Sequence, residues 1–404
     1  MRILHVLAQL PTRTGSGVYF SNLIENLKKY NYQQEAVFGT QDDYKWDVLD
    51  EKYIHSVEFK TEELPFPIVG MSDVMPYETT LYSEMTGEMF ERWINAFKNR
   101  LISIKKRYKP DIIFTHHLWI LSSIVVEVFP DSKIIGIFHN TDLRQAQKNP
   151  GIYQKYVRNL DRLDLIFSAS EQQKDEIINT YKDISRDKII ALGGGFDQNI
   201  FYPAETKEYS KKIRLVYSGK IDPSKGIYEL LKVYKNLNLE DITLDIIGTP
   251  DEKNKKELET YIKDDKSIKV YNVKDQKELG EELRKKDIFL MPSFYEGLGL
   301  TAIEALASGL YVVTTEIEAL MTLLGKEIEE SGIIKYVPLP RIYDIDKPVA
   351  EDLPKFREEL KEAILCQIAK VRNKQSCLTD KRDSIKRFSW EALVDRINEI
   401  IVDL

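Results

Sequence analysis

Two series of short apolar runs, spaced by amphipathic stretches, constrain this chain more than any other feature. The first is Arg2–Ala8, Asp111–Thr115, Lys133–Phe138, Asp164–Ala169 and Lys188–Leu192. The second is Ile213–Ser218, Ile242–Ile247, Ile268–Tyr271, Asp287–Met291 and Leu310–Thr314. Helical periodicity fills intervals such as Val18–Lys29, Tyr228–Leu237 and Glu278–Lys286. Strands alternating with helices imply parallel sheets covered on both faces. At 404 residues the chain exceeds one hydrophobic core. The pattern therefore predicts an α/β protein of two doubly wound, Rossmann-like domains, with the break at Gly193–Lys212. Ligands of such sheets bind beyond the carboxyl ends of the strands, so two facing domains would share a cleft. From about Leu324 to Asp352 the pattern blurs around Pro338, Pro340 and Pro348, which reads as an irregular insertion or edge.

The net charge of -7 argues against a chain-wide nucleic-acid surface. Cys366 and Cys377 follow no metal-ligand spacing and fit a reducing compartment. No run approaches about 18 consecutive apolar residues, and the N-terminus reads as a strand, so a cytoplasmic protein is expected. Lys98, Arg100, Lys105, Lys106, Arg107 and Lys109 are interleaved with Phe97, Leu101, Ile102 and Ile104. That basic helix, 97–109, suits either packing on its own sheet or peripheral contact with anionic lipid on the inner face of a membrane.

The stretch Phe294–Glu304 carries the strongest chemical signal. Glu296 and Glu304 are separated by seven residues, and Gly297-Leu298-Gly299-Leu300 turns a strand into a helix between them. Such a helix start aims backbone N–H groups and a positive dipole end at an anion. The second carboxylate suits neighbouring hydroxyls. Lys220 and Lys225 lie five apart on a glycine-bounded loop after a strand, a pair of ammonium groups suited to a diphosphate. Solvated lysines and a plain turn are the bland alternatives.

In the first half, Thr14-Gly15-Ser16-Gly17 opens a helix after the first strand. It lacks the Gly-x-Gly-x-x-Gly fingerprint and a Walker lysine, leaving either a phosphate or substrate cradle or a tight turn. His116 and His117 end a strand and point to opposite faces, which makes them poor co-ligands of one metal. One of them suits a hydrogen bond to a sugar; a packed core histidine is the alternative. His139-Asn140-Thr141-Asp142 follows the next strand, either as a polar substrate contact or as a helix cap. Asp344-Ile345-Asp346 is of the kind that holds a divalent cation under a diphosphate, but it follows no clear strand.

Together these residues resemble the retaining family-four glycosyltransferases of the GT-B fold. The resemblance runs in order along most of the chain. It implies a domain at 1–200 on the acceptor side, joined by a C-terminal helix at 386–404 that crosses back from Phe388-Ser389-Trp390-Glu391. It implies a nucleotide-sugar domain at 208–385. His116 maps onto the family's active-site histidine, and His139–Leu143 onto its His-Gly-Thr-Asp segment, with Asn140 replacing glycine. Gly194-Gly195-Phe196-Asp197 resembles the hinge signature. Lys220 stands where the family has arginine, keeping charge and losing bidentate geometry.

The resemblance implies that Glu296 contacts the transferred sugar and Glu304 the ribose. Gly297, Leu298, Gly299 and Leu300 then meet sugar and phosphate. His116, Lys225 and Glu296 are the expected catalytic residues, and Gly17 and Lys220 join the donor site. Gly15, Ser16, His139 and Asp142 would face acceptor or sugar. The implied reaction passes a hexosyl unit from a nucleotide sugar, most commonly UDP-linked, to an acceptor hydroxyl with retention. The nucleotide sugar is a substrate, and neither metal nor cofactor is expected. After Thr315 this chain has Glu316-Ile317-Glu318 in place of the family's glycine turn, which leaves donor choice open. A nucleotide-sugar epimerase, a sugar phosphorylase and a catalytically silent binding subunit are the rival readings.

Overall fold

The computed structural model describes residues 1–73, 75–205, 212–263, 265–344, 346–373 and 382–404. The chain divides into two compact units. One comprises Met1–Gly193 with Val394–Leu404, and the other Gly194–Leu393.

The first unit is built on seven parallel strands: β1 (Arg2–Leu7), β2 (Gln33–Thr40), β3 (Val57–Glu58), β4 (Ile112–His116), β5 (Lys133–Ile137), β6 (Leu165–Ser168) and β7 (Ile189–Ala191). Their order is β3-β2-β1-β4-β5-β6-β7. Ile3 pairs with Gln34 on one side and with Ile112 on the other, so β1 is central. Helices α1 (Gly15–Leu27), α2 (Gly87–Arg107), α3 (Ile120–Val128) and α4 (Asn140–Lys148) cover it. Strand β2 was not among the expected runs, because its start, Gln33-Gln34-Glu35, is polar. Tertiary partners satisfy those groups. Gln34 meets His5 Nε2 at 2.9 Å and donates to the Ile24 carbonyl, while buried Glu35 receives Arg107 and His55.

The second unit repeats the plan with β8 (Ile213–Ser218), β9 (Ile242–Ile247), β10 (Ile268–Tyr271), β11 (Ile288–Met291), β12 (Tyr311–Thr315) and β13 (Ile334–Val337). The order β10-β9-β8-β11-β12-β13 reverses direction between β8 and β11. Helices α5 (Ile227–Leu237), α6 (Leu300–Ala307), α7 (Glu318–Ser331) and α8 (Leu353–Arg372) flank it. The segment 324–352 is more regular than its composition suggests. Helix α7 runs through it with a break at Gly325 (φ +74°), β13 forms the sheet edge, and Ile342–Tyr343 pairs with Lys347–Pro348. Finally, α9 (Trp390–Asp403) starts in the second unit and continues in the first.

Helix α2 buries Phe97, Leu101 and Ile104 in the core of its own unit. Lys98 pairs with Glu127, Lys105 donates to the Val128 carbonyl, and Arg107 pairs with Glu35. The apolar residues of 97–109 are thus mainly core residues, in line with packing on the helix's own sheet. No described helix is long and apolar enough to cross a membrane. Cys366 is a free, half-buried thiol, and Cys377 lies outside the described residues.

Candidate active site

In each unit the strand order reverses beside the central strand, and loops leaving that point are where an open α/β sheet holds ligands. In the second unit these are the loop 218–226 after β8 and the turn 292–299 after β11. The two are pressed together. The Phe294 N–H donates to the Ser224 carbonyl at 2.9 Å. A Cβ added at Gly226 (φ +67°) would lie 1.9 Å from the Pro292 carbonyl oxygen, so only glycine fits there.

This contact brings Lys225 to Glu296. Lys225 Nζ donates to Glu296 Oε1 at 2.9 Å and to the Tyr295 carbonyl at 3.0 Å. Ser293 Oγ donates to the same carboxylate oxygen at 2.8 Å, and Thr315 Oγ1 fixes the Ser293 carbonyl at 2.6 Å. Both side chains of the ion pair stay 23% exposed, open to a ligand. Lys220 is exposed and makes no ion pair among the described residues.

Glu304 differs from Glu296. It is 7% exposed on α6 and makes no side-chain hydrogen bond or ion pair among the described residues. Burial alone raises its pKa from 4.5 to about 8. A carboxyl group held dry and unpartnered in the folded state has acceptor capacity for a ligand's hydroxyls. Gly299 (φ +79°, ψ +41°) caps α6, and a Cβ there would meet Met291 Cε at 2.9 Å. Leu298 and Leu300 pack over Gly194, whose added Cβ would come within 2.8 Å of Leu300 Cδ2.

The first unit gathers its candidates differently. Thr14 Oγ1 accepts from the Gly17 N–H at 3.1 Å and caps α1. A Cβ at Gly17 would sit 2.7 Å from the Leu10 carbonyl oxygen and from the Thr12 nitrogen. Gly15 is exposed, with open space around it. Ser16 is buried and accepts from Gln9 Nε2 at 2.6 Å. Gln9, which sequence reasoning passed over, is 2% exposed; its apolar surroundings on the strand end gave no signal.

The histidines separate clearly. His116 is 0% exposed, edge-on to Phe20 at 5.2 Å and stacked on His139 at 5.6 Å. Its Nδ1 lies 3.3 Å from His139 Nε2. His139 is partly exposed and stands in front of it. The His116 ring thus lies in the core, and His139, stacked on it, is the more exposed of the two. Desolvation, followed by neighbouring histidines, holds both pKa values well below 6.5, so both rings are neutral. Asp142 is engaged within the fold. Fully buried, it accepts from the Leu118 N–H at 2.8 Å and the His139 N–H at 3.1 Å, and meets His117 Nδ1 at 2.6 Å. It braces the loop that presents His139. Asp344 pairs with Lys347 in a hairpin turn, and Ile345 lies outside the described residues.

Comparison with known proteins fits this division. The family described as Glycosyltransferase Family 4 matches residues 79–199, and the family described as Glycosyl transferases group 1 matches 199–337. Between them the two glycosyltransferase models match residues 79–337 of this chain. A probable sucrose-phosphate synthase of Thermosipho melanesiensis is 31% identical over 164 residues, covering 37% of this chain and 38% of that protein. The chain thus spans well under half of that relative. A solved sucrose-phosphate synthase from Thermosynechococcus elongatus matches 100% of this chain and 99% of its own, with TM-score 0.69 at 14% identity. Anabaena HepE, solved with UDP and glucose, matches 100% of both chains at TM-score 0.65 and 14% identity. These structural likenesses show the fold, which is that of the GT-B glycosyltransferases.

Proposed function

We propose that this protein is a family-four glycosyltransferase that moves a glycosyl unit from a UDP-sugar to an acceptor hydroxyl with retention of configuration. The observation that carries this reading is the pairing of a half-open Lys225–Glu296 contact with the bare, buried carboxyl of Glu304. Glu304 would accept from ribose hydroxyls. Lys225 and Lys220, with the N-terminus of α6, would hold the diphosphate.

Bond cleavage at the anomeric carbon places negative charge on the departing phosphate oxygen. Lys225 is already within 2.9 Å of the sugar-side carboxylate and can stabilise that charge with little rearrangement. Glu296 would then accept hydrogen bonds from the transferred sugar. In the first unit, neutral His139 suits a hydrogen bond to a sugar hydroxyl, and the turn at Gly15 leaves room for an acceptor. This assignment of positive charge requires no metal. Full turnover in EDTA is expected; activity lost there and restored by manganese would overturn that part.

Thermal melting with a panel of nucleotide sugars tests the donor, because a ligand that binds the folded state raises the midpoint. UDP-linked donors should shift it, and Lys225→Ala should abolish the shift. Equal shifts in parent and variant would refute the leaving-group role. Contact with anionic lipid through 97–109 would be mainly electrostatic, since most of its large apolar side chains are buried. Vesicle sedimentation that persists at high salt would contradict this.

A further inference from the structure

The loop that carries both lysines is held from below by one buried side chain. Tyr217, at the end of β8, is 1% exposed within the core of its unit. Its hydroxyl donates to the Lys220 carbonyl at 2.5 Å. The same hydroxyl closes on the next glycine: a Cβ at Gly219 would lie 3.2 Å from Tyr217 Oη. From the other side, a Cβ at Gly248 would lie 2.2 Å from the Gly219 carbonyl oxygen. The loop is then closed downstream by Asp222, which accepts from the Ser224 N–H at 2.9 Å.

We propose that Tyr217 is a positioning residue for diphosphate recognition, acting by drawing the Lys220 carbonyl into the core. This rests on the assignment of Lys220 and Lys225 to the diphosphate. A loop that binds an anion must keep its carbonyl oxygens, which carry partial negative charge, away from it. The Lys220 carbonyl is the one most exposed to that conflict, because the ammonium of the same residue is meant for the phosphates. Bonded to Tyr217, it points inward, and the Lys220 side chain is left outside, exposed. Without the hydroxyl the half-buried carbonyl loses its protein partner, which favours its turning outward toward water. Glu296 and Asp222 also face the tyrosine, and with burial they keep its hydroxyl protonated as a donor.

The test is calorimetric binding of UDP and of UMP to the full-length protein. Tyr217→Phe should weaken UDP about tenfold, the effect of one lost buried hydrogen bond. UMP, which lacks the second phosphate, should change less than about twofold. Gly219→Ala presses on the same contact from the loop side, at a φ of +158° that alanine rarely adopts, and should show the same selective loss. Equal weakening of UDP and UMP in both variants would mean a merely structural role and would overturn the proposal. So would unchanged UDP affinity in both. If the parent itself binds neither nucleotide, the donor-site reading fails instead, and the proposal falls with it.

Discussion

The two units share one sheet plan and use it in opposite ways. In the first unit the polar groups behind the sheet's carboxyl edge are bonded to each other: Asp142 serves His117 and two backbone N–H groups, and Gln9 serves Ser16. In the second unit polar capacity is left unspent, with Lys220 exposed, Lys225 only half engaged and the Glu304 carboxyl dry and without a partner among the described residues. The lesson is physical. The first unit keeps mainly uncharged hydrogen-bonding capacity, with His116 Nε2 and His117 Nε2 buried and without a partner among the described residues, which suits hydroxyl compounds, whereas available charge marks where a charged ligand completes the fold's hydrogen bonding.

That contrast can be broken most directly in the second unit. Lys225→Ala should lower transfer by about 10²–10³-fold, the range for removing one preorganised partner of a developing charge. Initial rates with saturating donor would show it; a loss below about threefold would erase the distinction between the units. Next comes Glu304. Because its folded pKa is raised, the stability it permits is fully present below about 4.5 and declines as pH rises through about 8. Glu304→Gln should therefore be more stable than the parent at pH 9, by about 5 kcal/mol at most, and bind UDP more weakly. At pH 4 the two proteins should melt alike. A pH-independent difference would remove the case for a dry carboxyl.

In the first unit the expected effects fall on stability. Asp142→Asn leaves buried partners mismatched and should destabilise by about 2 kcal/mol in urea unfolding, with UDP affinity unchanged. A matching loss of UDP binding would show that the two units are not specialised as described. Smallest is Thr14→Ala, which removes the α1 cap and should reduce stability by about 1 kcal/mol.

Much of the scaffold was legible because parallel strands buried on both faces must be nearly continuous apolar runs, as Ile288–Met291 and Tyr311–Thr315 are. The turn before Glu304 was legible for a related reason, since a strand that becomes a helix within a few residues needs glycine at φ +79°. Strand β2 was hidden because Gln34 and Glu35 are polar; only His5 and Arg107, distant in sequence, reveal why they are buried. The same limit applied to the histidines. Local alternation separates His116 from His117, yet both rings are buried, His116 by Phe20 and His139, which lie far from it in sequence. Gly325 interrupts the apolar period of α7, and the helix was lost with it.

The clasp between the loops 218–226 and 292–299 has an evolutionary corollary. Ser224 bonds to Phe294, Gly226 abuts Pro292 and Lys225 reaches Glu296, so neither segment can change length or trajectory by itself. Chimeras that import one of them from another sugar-transferring enzyme should misalign the ion pair. Retuning this protein toward a new donor would require exchanging both stretches together, as a co-inherited cassette.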